Sequence, residues 1–278
     1  MDLLFWAPVM CAGVIAGAST GMLGVYIVGM RIPFLGICVA HAALAGAVFG
    51  ALGGLSGGAL LLPALAGALL AGLLLGVIDP QTARADVSVL LGVLFSLSMG
   101  LAFLGLGLFS VFGVSDNEVR SLLWGSLAFC RWRDVWIMAG TAAFELAFVV
   151  LFYKEMRAIL FSRTHAAAAG VRVAVVWTLF LIVTSLVLTV NFQTVGGLMI
   201  YALLTNPAVA ASQLTRGCGR VLAVAALLGA ASGLGGFLIS AVTDLPTGAM
   251  IVILSALLLV GAVGWARFQN ASDSSRST

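Results

Sequence analysis

Charge is scarce in this sequence. Only 8% of its 278 residues are Asp, Glu, Lys or Arg, where a soluble domain carries roughly a quarter, so water is not the main solvent of the chain. Lys154 is the single lysine and no GxxxxGK[ST] run occurs, which rules out a phosphate-cradling loop of that type. Histidine is nearly as rare: His41 and His165 stand alone, no HExxH pair exists, and a zincin-type membrane protease is excluded. The four cysteines, Cys11, Cys38, Cys130 and Cys218, fall in separate segments without a CxxC pair. That spacing argues against a disulfide framework or a zinc knuckle and favours small packing residues. The net charge of +3 forms no basic stripe, so nucleic acid is not an expected partner. The opening MDLLFW lacks the positive n-region of a signal peptide, and the apolar stretch behind it is too long for one; the reading is a retained first helix.

Apolar residues are abundant, at 62%. They recur in runs near the roughly 20 residues needed to cross about 30 Å of hydrocarbon, which predicts an all-α, polytopic transmembrane bundle forming one domain over residues 1–278. Nine segments are expected: Leu3 to Gly29, Phe34 to Gly54, Gly58 to Ile78, Val87 to Phe112, Val135 to Tyr153, Val173 to Val190, Val195 to Ala211, Val221 to Val242 and Ala249 to Ala266. The seventh is short and contains Pro207, which predicts a broken or re-entrant helix. The 34 glycines would weaken soluble helices, but in a bilayer they let backbones approach closely. Gly13, Gly17 and Gly21, Gly46 with Gly50, and Gly229 with Gly233 carry GxxxG spacing.

With the N-terminus outside and the C-terminus inside, ten of the thirteen basic residues fall in inner loops and three, Arg120, Arg131 and Arg133, in outer ones. This positive-inside bias sets the expected orientation. Lys154 to Arg172 then lies inside and reads as a short amphipathic surface helix. Gly113 to Asp134, with Trp124 and Trp132, lies outside, as an interfacial lid or docking surface. Asp79, Asp86 and Asp244 sit at segment ends, where capping suffices.

An ionisable side chain inside a span is costly and marks a functional candidate. His41 lies seven residues into the second segment and Glu145 ten into the fifth, with Asn206 about as deep in the seventh. A neutral imidazole, a carboxylate and an amide oxygen make ligands for a divalent first-row metal. Cys38, three residues before His41, shares its helix face and can add a thiolate.

Four stretches resemble the permease family of zinc-, manganese- and iron-type bacterial ABC importers: RIPFLGICVAHAALAG from Arg31, DVSVLLGVLFSLSMGLAF from Asp86, VGGLMIYALLTNPAVAA from Val195 and GLGGFLISAVTDLPTGAMIV from Gly233. The resemblance covers nearly the whole chain. It implies a multi-pass subunit of the bacterial cytoplasmic (inner) membrane that works as a homodimer with a separate pair of cytoplasmic ATP-binding subunits and an external metal-binding protein. No cofactor is held permanently; a divalent metal is the cargo, and ATP is bound by the partner. The resemblance also implies a coupling helix at about 158–171, where FSRTHAAAAGV keeps the family's Phe161, Ala166 and Gly170, while Ser162 replaces its usual acid. Gly170 is expected to be close-packed there. In the second helix Ile37 and Ala40 stand where the family commonly has Asp and Ser. Loss of a hard oxygen ligand weakens a manganese site more than a zinc site, which favours zinc.

A self-contained secondary transporter or channel for a cation is the alternative; the internal repeats it calls for are not convincing here. A rhomboid-like protease would need Ser19 or Ser240 beside His41, and their depths do not match.

Overall fold

The computed structural model describes residues 3–77, 87–113, 127 and 130–276, without the side chains of 3–5, 197–198 and 270–276. Asp79, Arg84, Asp86, Arg120 and Trp124 lie outside the described residues. Among those described, every regular element is helical: α1 (Leu3–Gly29), α2 (Phe34–Leu52), a short 3-10 turn (Gly57–Leu60), α3 (Leu61–Val77), α4 (Val87–Phe112), α5 (Trp132–Leu151), α6 (Tyr153–Phe161), α7 (Arg163–Ala168), α8 (Val173–Val195), α9 (Gly197–Leu214), α10 (Cys218–Thr243) and α11 (Thr247–Arg276). Eight of them are long and apolar enough to cross a membrane. The eighteen-residue α9 is unbroken through Pro207, against the expectation of a broken segment. Pro207 abuts α1 opposite Gly21, and Thr205 ties its hydroxyl to the Tyr201 carbonyl at 2.8 Å. Neighbouring contacts hold the helix where the ring removes an N–H.

Glycine spacing builds the centre of the bundle. A methyl group on Gly17 would overlap the Gly229 carbonyl, and one on Gly229 would overlap that of Gly17; Gly13 meets Gly233 in the same way, and Gly21 meets Ala225. These contacts make α1 and α10 an antiparallel pair in backbone contact, the arrangement small residues permit in lipid. Gly46 and Gly50 likewise seat Pro63 of α3 against α2. All the GxxxG pairs read from the sequence are therefore helix contacts.

Side chains fix the other directions. Ser185 of α8 donates to the Ala68 carbonyl of α3 at 3.1 Å, and Asn191 of α8 donates to Ser19 of α1 at 2.9 Å. With Tyr26 and Phe180 edge to face at 5.9 Å, α8 runs antiparallel to α1. Asn206 of α9 donates to Ser255 of α11 at 2.9 Å, and Gly248 of α11 meets Met199 of α9, so those two helices run parallel. A polar tie of this kind between membrane helices is worth about 1 kcal/mol.

The faces of α4 and α5 that pack on nothing are apolar, with Val93, Leu97, Phe103, Trp136, Phe144 and Val150 all exposed. In water such a surface would aggregate; in a bilayer it meets its own solvent. One end of the bundle gathers Gly29, Leu160, Tyr153 and Gly219. There α1 closes in a left-handed turn: Arg31 N–H donates to the Val28 carbonyl at 2.9 Å and Ile32 N–H to Ile27 at 3.0 Å. Arg31 takes φ 61° at the position where glycine is usual.

Candidate functional site

His41 sits mid-way along α2, and its Nδ1 lies 2.8 Å from the Ile37 carbonyl one turn earlier. A carbonyl oxygen only accepts, so Nδ1 carries the proton and Nε2 keeps a lone pair. The ring packs edge to face on Phe95 of α4 at 5.0 Å, and Phe95 packs on Phe34 at 5.2 Å. A half-buried imidazole is thereby held in one orientation with its ligating nitrogen free, the device by which metal-binding histidines are fixed.

Glu145 is 0% exposed on α5, and neither carboxylate oxygen has a hydrogen-bond partner among the described residues. One turn further along, Phe148 meets Phe180 of α8 at 6.3 Å between centroids, which turns the Glu145 face toward α1 and α8. The Tyr26 hydroxyl, within electrostatic reach of Glu145, and the Thr184 hydroxyl are buried without partners too. Asn206 is taken up in its bond to Ser255, which leaves its amide oxygen to accept. Cys38 is wholly buried in the core around α2. The structure thus puts His41 against α4, Glu145 toward α1 and α8, and Asn206 against α11. Among the described residues no three His, Cys, Asp or Glu side chains gather around one point. Ser19 accepts from Asn191, and Ser240 donates to the Leu245 carbonyl at 2.6 Å, so neither serves His41.

The stretch expected as one helix at about 158–171 is two. Ser162 is extended (φ −168°, ψ 124°) and separates α6 from α7. Its hydroxyl accepts the His165 N–H at 3.3 Å and contacts His165 Nδ1 at 3.0 Å. Ser162 is the N-cap of α7, a place where Ser and Asp serve about equally; the capping role survives the loss of the acid. Met156 and Ile159 bury one face of α6 and Ala166 that of α7, while Phe161 stands 83% exposed. Gly170 is not close-packed. No atom lies within 4 Å of where its Cβ would be, and its φ of 85° is what calls for glycine. Sequence reasoning missed Tyr26, Thr184 and Trp177, whose ring lies 4.1 Å from the Arg163 guanidinium; all three look like ordinary span residues in a linear reading.

The model of the ABC 3 transport family matches residues 2–265. The chain belongs to that family. As an ABC 3 member it is a transport subunit and not an enzyme, and ATP is hydrolysed by a separate chain. It is 31% identical over 253 residues to a zinc transport system membrane protein, TroC, of Treponema pallidum, covering 88% of this chain and 83% of that one. It is 27% identical over 247 residues to a manganese transport system membrane protein, MntC, of Halalkalibacterium halodurans, covering 89% and 82%. The fold of this ABC 3 member matches a chain of PsaBC from Streptococcus pneumoniae, solved in complex with Fab, with a TM-score of 0.80 at 21% identity over 93% of this chain and 90% of that one.

Proposed function

We propose that this chain is the membrane-spanning permease of an ATP-driven divalent metal importer, with zinc favoured over manganese or iron. The observation that carries the reading is the Nδ1–H bond from His41 to the Ile37 carbonyl at 2.8 Å, which leaves Nε2 as a fixed nitrogen donor inside a span. Glu145 supports it, because an ionised carboxylate buried without a partner demands a cation or a proton. Asn206 supplies an amide oxygen and Cys38 stays the reserve thiol. The described donors of one protomer do not converge, so a second copy of the chain must complete the set. Relatives are named for both manganese and zinc; the nitrogen donor and the apolar Ile37 weight the choice toward zinc.

The reading includes nine crossings, with α9 as the ninth beside the eight longer spans. Its orientation is N-terminus outside and C-terminus inside, in the bacterial inner membrane. Antiparallel packing of α1 on α8 and α10 supports the count, and the ten-to-three basic bias supports the sense. Cytoplasmic ATP-binding subunits then meet the exposed Phe161 and the capped α7. An external metal-binding protein meets the other end, where Arg131, Arg133 and Asp134 rim a groove of about 300 Å³.

The test is ⁶⁵Zn uptake normalised to folded dimer in His41→Ala, Glu145→Ala and the double variant. Each single change should abolish uptake, and the double should look like either single, as for groups acting as a unit. Normal uptake per folded molecule in both single variants would remove these residues from the pathway.

A further inference from the structure

At the end of the bundle that carries α6 and α7, a groove of about 540 Å³ opens between the α1–α2 turn, the start of α4 and the α6–α7 junction. Its floor is apolar, with Leu35, Leu75, Leu90 and Leu91, and its polar rim carries Arg31 and Arg163. No acidic side chain lines it among the described residues. Arg163 is steadied by the Trp177 face, a cation–π contact that turns its N–H edge outward. Arg31 occupies the glycine position of the α1 cap with φ 61°. A non-glycine residue in that region is locally strained, and such strain concentrates at ligand clamps. Two cations and no acid make this a poor passage for a divalent metal and a good seat for an anion.

We propose that this groove is a binding site for an anionic phospholipid, with Arg31 and Arg163 holding the phosphodiester and the leucine floor taking the first methylenes of the acyl chains. Arginine suits the task because its planar fork pairs two oxygens of one phosphate. Basic pockets between spans at the cytoplasmic level are where acidic headgroups bind. Free phosphate shares the headgroup chemistry but has nothing to place on the leucines. The site rests on the membrane-spanning reading and is independent of the transported ion, so zinc uptake can fail as a reading while lipid binding stands.

The experiment is native mass spectrometry of the full chain in nonionic detergent with equal phosphatidylglycerol and phosphatidylcholine. One phosphatidylglycerol should remain per protomer, retained about thirtyfold over phosphatidylcholine, the factor for two basic contacts of about 1 kcal/mol each at a membrane surface. Arg31→Gln and Arg163→Gln should each lower retention about fivefold, while Arg31→Lys keeps most of it. Leu90→Trp, which fills the floor and leaves both arginines, should expel the lipid. Gel filtration of each variant separates loss of lipid from loss of fold. Equal retention of the two lipids, unchanged retention in both Gln variants, or a lipid expelled by millimolar inorganic phosphate would overturn the proposal. So would Gln variants that keep the lipid but lose co-purifying ATP-binding subunits, since the arginines would then serve a protein contact.

Discussion

The α1–α10 crossing makes an asymmetric prediction from one pair of glycines. A methyl on Gly233 would overlap the Gly13 carbonyl, whereas a methyl on Gly13 would stand 3.1 Å from the Gly233 carbonyl. The first requires the helices to separate, and overpacking of this kind costs about 1–3 kcal/mol. The second requires a shift of a few tenths of an ångström, and the better helix propensity of alanine returns up to about 1 kcal/mol. At about 2–4 °C per kcal/mol for a chain of this size class, Gly233→Ala should lower the midpoint of thermal aggregation in detergent by about 2–12 °C. Gly13→Ala should leave it nearly unchanged. Gly17→Ala and Gly229→Ala, whose added methyls both overlap a carbonyl, should behave like Gly233→Ala. The readout is the monodisperse fraction on gel filtration after heating each variant, with wild type in the same detergent. Equal losses for Gly13→Ala and Gly233→Ala would refute the geometry, since composition alone treats the two positions alike.

Gly170 should be ranked by backbone freedom rather than by size: Gly170→Asn should keep ATP hydrolysis coupled to uptake better than Gly170→Ala, and both better than Gly170→Val, because φ there is 85° and the space around it is open. If Val equals Asn in hydrolysis per ion transported, the conformational role is wrong. Cys130 has its thiol pushed up to about 12 by burial, with the charges of Asp134 and Cys11 adding to it. Because the shift is upward, thiolate is nearly absent at pH 8 and grows about tenfold per pH unit toward 12. In a variant with the other three cysteines replaced by alanine, maleimide should modify the folded protein about a thousandfold more slowly than the urea-unfolded chain; equal rates would contradict the burial. A cytoplasm-specific reporter fused after Thr164 should be active and one fused after Gly54 silent, and the reverse result would invert the orientation.

Helix positions were legible because hydropathy in a bilayer has a length scale: a run that spans hydrocarbon leaves little choice of structure. Glycine spacing was legible for a related reason, since Gly17 and Gly229 repeat at intervals that place them on one helix face. Pro207 misled because the missing N–H is visible in sequence, while the contacts to Gly21 and Ser255 that hold α9 together come from helices far along the chain. The break at Ser162 had a local signal, a serine ahead of a short alanine-rich run, which the continuous amphipathic pattern masked. His41 and Glu145 stood out as rare polar groups among apolar ones. Their depth along separate spans said nothing of azimuth, so nothing in the spacing revealed that one faces α4 and the other α1 and α8. Gly170 shows the same limit in reverse: a glycine in a motif reads as tight packing, and only the backbone angle shows that it serves a turn.

The tie between Asn191 and Ser19 spans 172 positions of sequence, and its order has a meaning during synthesis. When α8 leaves the ribosome, α1 has long been in the membrane, with its hydroxyl already in place for the arriving amide. An asparagine released into lipid without a partner is poorly tolerated. The first helix therefore acts as an internal assembly aid for the eighth, and a chain begun after Gly29 should stall at the insertion of α8, far downstream of the deletion.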